Sequence, residues 1–201
     1  MKAAYLHGFL SFPKRDSRKV QTLVERFGDE NVIVPDYHPH SPELAQARLH
    51  EMLDETANEP IAVMGCSLGG FWTAWMAVEF GCPSVALNPQ FNPHLSLEPG
   101  NYTSFDDKPI VIEDADIDHF ARLHRQVADA RAVPLSVLVN KDDELIPWQE
   151  TRDFLLDNPL TKDFVSCDGG GHRVENIDAP DVQAVIDRRL MDDSLKSRNQ
   201  P

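Results

Sequence analysis

Short apolar runs alternate along the chain with longer segments whose apolar positions recur every three or four residues, the pattern of parallel strands joined by helical crossovers. Lys2–Leu6, Val32–Val34, Ile61–Met64, Ser84–Leu87, Leu135–Val139 and Asp163–Cys167 are the strand candidates. Most are too uniformly apolar to alternate, as strands covered on both faces require. Val20, Leu23, Val24 and Phe27 mark a helix over Lys14–Phe27 that Gly28 would close. Ala45, Leu49, Met52 and Leu53 mark a second, opening at Ser41-Pro42-Glu43 with Ser41 as N-cap and Pro42 at the first helical position. Leu68–Phe80 is apolar almost all round, so a helix there lies against the sheet, and Gly81 ends it. Val182, Val185 and Ile186 share one face of a last helix over Pro180–Leu190, beyond which the polar tail Ser194–Pro201 is expected to fray. The layout is α/β, with about six mostly parallel strands flanked by helices.

One interval breaks the alternation. Gln90–Val133 separates two strand candidates where one helix would suffice, and its first half is rich in Pro, Asn and Asp. A connection that long points to a functional insertion, here a small cap within a domain spanning the whole chain. Removing most of Asn92–Ala130 is accordingly expected to change substrate preference more than the fold.

Composition narrows the function classes. The chain has 201 residues, enough for one core of ordinary size, with 41% hydrophobic and 26% charged residues and no apolar run near the length of a membrane span. A net charge of −14 opposes nucleic acid and anionic lipid as partners, because phosphate binding relies on clustered Lys and Arg. Cys66, Cys82 and Cys167 lack metal-site or paired spacing and read as buried thiols. Met1–Gly8 turns polar after six residues without the pattern of a secretory signal, so a cytoplasmic location is expected. The pattern does not set the oligomeric state.

Candidate chemistry centres on Gly65-Cys66-Ser67-Leu68-Gly69-Gly70, a G-x-S-x-G stretch between a strand candidate and a helix candidate. That is the setting of a nucleophile elbow, in which glycines permit a sharp turn and the serine hydroxyl projects above the sheet. A serine needs a base to take its proton. Of eight histidines, His172 follows the last strand candidate behind Gly169-Gly170-Gly171, the late position such a base occupies. The others precede Ser67 or fall in the insertion, and His7 reads as structural. An acid that orients the imidazole belongs after the penultimate strand, where Asp142, Asp143 and Glu144 stand together; one is the orienter and the other two read as a solvated turn. For a developing oxyanion, Leu68 N–H is one donor, and Phe9 N–H, in His7-Gly8-Phe9, is the second, with Leu10 as the fallback.

These motifs, with Asn88-Pro89 and Lys141–Pro147, resemble the YqiA/YcfP-like small esterases of the α/β-hydrolase superfamily over nearly the whole chain. The resemblance implies an esterase or thioesterase whose sheet starts at the strand bearing the H-G turn. It also places the acid in a D-E-x-x pattern, which selects Asp143 in Asp143-Glu144-Leu145-Ile146-Pro147. The YcfP branch lacks the elbow serine that this chain keeps as Ser67, which argues against a dead scaffold.

Two metal patterns fall away. Asp114-Ala115-Asp116-Ile117-Asp118 has a calcium-loop rhythm but carries His119 at position six and Arg125 at position twelve, and His38-Pro39-His40 has no third ligand spaced to complete a set. No cofactor or metal is called for. Phe9, Phe12, Phe91 and Trp148 sit on loops after strand candidates and are expected to wall the pocket. The expected function is hydrolysis of small carboxylic esters or thioesters by Ser67, His172 and Asp143 through an acyl-enzyme. The alternatives are an amidase or peptidase using the same residues and a non-catalytic binding protein on the same scaffold.

Overall fold

A computed structural model describes residues 1–56 and 59–191; the tail Ser194–Pro201 lies outside the described residues. Six parallel strands form one sheet: β1 (Lys2–Leu6), β2 (Val32–Ile33), β3 (Ile61–Cys66), β4 (Ser84–Leu87), β7 (Leu135–Asn140) and β8 (Phe164–Cys167), in the order β2-β1-β3-β4-β7-β8. β5 (Gly100–Thr103) and β6 (Pro109–Ile112) form a separate antiparallel hairpin. The six strand candidates are thus all present, with ends shifted by up to two residues.

The helices are α1 (Arg18–Phe27), α2 (Pro42–Glu55), α3 (Leu68–Phe80), α4 (Pro93–Ser96), α5 (Asp114–Asp129), α6 (Trp148–Asp157) and α7 (Pro180–Leu190). α1 starts four residues later than its apolar spacing suggested, because Ser17 Oγ accepts the Val20 N–H and fixes the N-terminus there. Ser41 precedes α2 as expected but does not cap it; its hydroxyl donates to Asp116 Oδ1 at 3.4 Å.

Alternate residues of the central strands feed two apolar layers. Ala4, Leu6, Val63, Ala86, Val137 and Val139 pack with α2, α3, α5 and α6. Ala3, Tyr5, Ala62, Met64, Val85 and Leu138 pack with α1 and α7 on the other face. From β1 the chain moves outward to β2 and then returns to β3 on the opposite side, so the sheet reverses direction between β1 and β3. Open α/β sheets bind ligands at the carboxyl ends of strands at such a point.

The 90–133 segment divides. Its first part holds α4 and the β5–β6 hairpin. Its second part is α5, which buries Phe120, Leu123 and Val127 against Phe71 and Trp72. The acidic stretch that mimics a calcium loop is the first turn of this helix: Glu113 and Asp116 form a reciprocal capping box, and carboxylates near a helix N-terminus are favoured by its dipole.

The burial of α5 weighs against the expectation that removing most of Asn92–Ala130 changes substrate preference more than the fold. Burying a large apolar side chain stabilises by about 1.5–3 kcal/mol, so losing three threatens the ~5–15 kcal/mol total of an ordinary domain. Deleting residues 114–129 should abolish cooperative thermal unfolding followed by circular dichroism. Replacing residues 99–112 with a short Gly-Ser link should preserve it at a lower Tm.

Candidate active site

The turn from β3 into α3 leaves no room for side chains. A Cβ on Gly65 would meet Gly69 carbonyl carbon at 2.7 Å, and one on Gly69 would meet the His7 carbonyl oxygen at 2.7 Å. The closeness lets α3 start directly over the sheet and forces Ser67 to φ 60°, ψ −126°, a region costly for any residue with a Cβ. Leu87 O accepts the Ser67 N–H at 3.0 Å, and Gln90 N–H donates to Ser67 O at 3.1 Å, holding that conformation from the β4 side.

Gly8 completes the approach from β1. A Cβ there would lie 3.0 Å from Ser67 Cβ and 3.4 Å from its Oγ, so any larger residue would crowd the hydroxyl and push the β1 loop or Ser67 aside. Buried Tyr37 donates its OH to His7 O at 2.7 Å and fixes this loop. Leu10 is also held at φ 59°, its carbonyl accepting Phe105 N–H from the hairpin turn at 2.8 Å, while Tyr102 packs edge-on against Phe9 with centroids 5.3 Å apart. Among the described residues the amides of Phe9, Leu10 and Leu68 have no hydrogen-bond acceptor, and Leu68 sits at the first position of α3, where amides lack helical partners.

His172 lies on the loop after β8, whose Gly169, Gly170 and Gly171 all take left-handed backbone conformations (φ 77°, 100° and 55°). Its Nδ1 is 2.9 and 3.0 Å from the two oxygens of Asp143. Asp143 Oδ1 also accepts Leu145 and Ile146 N–H, each at 2.8 Å, and its side chain is 1% exposed. Burial pushes this carboxyl upward, but the bonds from His172, Ile146 and Leu145 outweigh it and hold the group below its ordinary value. Asp143 is therefore ionised at neutral pH, which keeps the proton on Nδ1 and leaves Nε2 as the basic nitrogen.

The flanking carboxylates are not a free solvated turn. Asp142 Oδ1 accepts Gly171 N–H at 3.1 Å, and Glu144 Oε2 accepts His172 N–H at 2.9 Å. All three acids thus hold the loop, and only Asp143 touches the ring. Cys66 Sγ lies 3.6 Å from His172 O, which brings the base loop against the elbow. Burial pushes the Cys66 thiol up to about 11, so it is no competing thiolate. Ser67 Oγ makes no hydrogen bond to the His172 ring among the described residues, and such contacts are often long before substrate binds.

The expected pocket aromatics separate. Phe12 joins His7, Leu10, Tyr37, His40 and Ile110 around a cavity of about 280 Å³ beside the β1 loop, partly roofed by the hairpin. Burial and the nearby His38 lower the His40 imidazole to about 4, so it is neutral there. Phe91 stands instead in the core, 2% exposed and stacked on Phe154 of α6 with centroids 4.4 Å apart. Trp148 opens α6 beneath the Arg152 guanidinium, at 5.1 Å, and lines neither this cavity nor a wider one of about 670 Å³ between α4 and α6. No cluster of His, Cys, Asp and Glu able to hold a metal occurs among the described residues. Nor is any described helix long and apolar enough to cross a membrane.

A parallel six-stranded sheet with a strained serine at the β3–α3 turn and a histidine–carboxylate pair beyond its last strands is an α/β-hydrolase fold. Est1E from Butyrivibrio proteoclasticus superposes with a TM-score of 0.71 at 15% identity, covering 94% of this chain and 86% of that one. Mouse alpha/beta hydrolase domain-containing protein 10 does so with a TM-score of 0.66 at 17% identity, covering 93% and 88%. The chain itself belongs to the family described as uncharacterised protein family UPF0227, whose model matches residues 2–187, and the YqiA/YcfP resemblance holds. A UPF0227 protein of Vibrio atlanticus is 26% identical over 157 residues, 76% of this chain and 82% of the relative. One of Vibrio cholerae is 29% identical over 98 residues, so that the chain spans about half, 54%, of the length of the first curated relatives it matches.

Asp143→Asn should lower kcat by about three to four orders of magnitude, since an amide there can hold the imidazole in the wrong tautomer. Asp142→Asn should cost less than about tenfold, because it weakens one backbone contact. Steady-state ester hydrolysis by the two purified variants compares them directly.

Proposed function

We propose that this protein is a serine hydrolase acting on small carboxylic esters and thioesters. The observation that carries the reading is the His172–Asp143 pair: a buried, ionised carboxylate bound at 2.9 Å to Nδ1 of a histidine whose loop lies against the serine elbow. In the proposed cycle the Ser67 Oγ–carbonyl carbon bond forms while the hydroxyl proton passes to His172 Nε2. The oxyanion lies between the unpartnered Leu68 and Phe9 amides, Leu10 being the neighbouring donor. His172 then protonates the departing alkoxide or thiolate, the acyl group stays on Ser67, and water activated by the same imidazole releases the acid.

The modest cavity beside the β1 loop, which Ser67 and His172 do not line, is the proposed place of a small acyl or alcohol group, and the hairpin residues that line it belong to the proposed cap. The esterase domain of a Rhodothermus marinus protein shares this fold with a TM-score of 0.66 at 18% identity, which favours ester chemistry over the amidase and binding-protein alternatives. A cytoplasmic location is part of the same reading.

Initial rates on p-nitrophenyl butyrate, the butyryl thioester of N-acetylcysteamine and butyryl p-nitroanilide test it. The ester and thioester should turn over, the anilide at least about a hundredfold more slowly, and Ser67→Ala should lose about three or more orders of magnitude. Preference for the anilide, or wild-type rates in Ser67→Ala, would overturn the proposal.

A further inference from the structure

Asn88 follows β4 at φ 42°, a backbone conformation that Asn adopts more readily than most residues, and it is 1% exposed. Its neighbours in sequence clamp the elbow, Leu87 accepting from and Gln90 donating to the Ser67 backbone. Its side chain is fully engaged elsewhere. Oδ1 accepts Asn140 N–H at 2.7 Å, at the end of the strand that leads to Asp143, whose own N–H donates to Asn140 O at 3.2 Å. Nδ2 donates to Gly171 O at 2.9 Å and to His172 O at 3.1 Å. Asn140 Nδ2 adds a second bond to Gly171 O at 2.9 Å and pairs with Asn176.

We infer that Asn88 is the positioning residue that sets the nucleophile, base and acid in one frame. It bonds the adjacent carbonyls of Gly171 and His172 and the strand end behind Asp143, and its own segment grips Ser67. The inference rests on the hydrolase reading given above and deepens it. Only a primary amide meets the demand, because the two loop carbonyls need a donor and the Asn140 N–H needs an acceptor on the same planar group. A carboxylate would set oxygen against the two carbonyls in a buried site, and an apolar side chain would leave the Asn140 N–H without an acceptor, Gly171 O with only Asn140 Nδ2 and His172 O with only the Cys66 thiol. No bond from Asn88 reaches a substrate position, so its effect passes through the geometry of Ser67 and His172.

The test uses Asn88→Gly, which suits the positive φ, together with Asn88→Ala and Asn88→Asp. Asn88→Gly should remain folded, with kcat lower by about a hundredfold, the loss expected of an ångström-scale misplacement, and KM within about threefold. Its fluorophosphonate labelling should slow in proportion. For Asn88→Asp, the ratio of its kcat to that of wild type should rise as pH falls, since a neutral carboxylic acid regains one donor and one acceptor. The same ratio for Asn88→Ala should stay flat.

A readout independent of turnover is the proton resonance of His172 Nδ1–H, protected by Asp143 in the wild type and expected to broaden in Asn88→Gly. Folded glycine and alanine variants with wild-type kcat and an unchanged resonance would overturn the inference while leaving the hydrolase reading intact. Failure of both to fold would make Asn88 a folding residue and overturn it as well. An inert wild-type enzyme would sink the hydrolase reading, and the resonance would then decide whether Asn88 holds the ring.

Discussion

Ser67 is held in a backbone conformation that costs on the order of 1–3 kcal/mol for a residue with a Cβ, and its surroundings are arranged to keep it there. Gly65, Gly69 and Gly8 let β1, β3 and α3 approach within distances no side chain would survive. Hydrogen bonds to Leu87 and Gln90 close the turn from the other side. The strain is offset by the sheet and by the apolar burial of α3, whose Phe71, Trp72 and Trp75 are essentially inaccessible. One crowded turn thereby fixes where the Ser67 hydroxyl and the unpartnered Phe9 and Leu68 amides stand, at the point where the sheet reverses direction.

The remaining groups reach that point from opposite ends of the sequence. His172 rides on a glycine loop with little conformational preference of its own, so its position is imposed from outside. Asp142, Asp143 and Glu144 hold it from the β7 side, and Asn88 and Asn140 from beneath. The hairpin holds the β1 loop through Phe105 and Tyr102. These contacts join residues more than twenty-five positions apart, so the site depends on correct closure of the whole sheet.

Much of this was legible in the sequence where local pattern and chemistry coincide. The buried strands announce themselves by uninterrupted apolar runs, and α3 by an apolar helix opened by glycines. Ser67 and His172 were singled out by motif and chain order and Asp143 by the family resemblance, and the structure brings His172 and Asp143 into contact and the His172 loop against the serine turn. What was not legible lacks a local signal. α6 buries only Thr151 and Phe154, too few for a helical stripe, and without it Phe91 reads as a pocket wall rather than as Phe154's stacking partner. The first turn of α5 shares the rhythm of a calcium loop, which His119 and Arg125 already exclude, because dipole-favoured carboxylates and calcium ligands share a composition. The loop-holding parts of Asp142, Glu144 and Asn88 depend on partners that only the folded chain supplies.

The central claim is that Ser67 is a nucleophile activated by this frame. Incubation with a fluorophosphonate, followed by intact mass measurement and peptide mapping, tests it most directly. One adduct per chain is expected, carried on Ser67 and absent from Ser67→Ala. Folded wild-type protein that takes up no adduct, or takes it up at another residue, would contradict it.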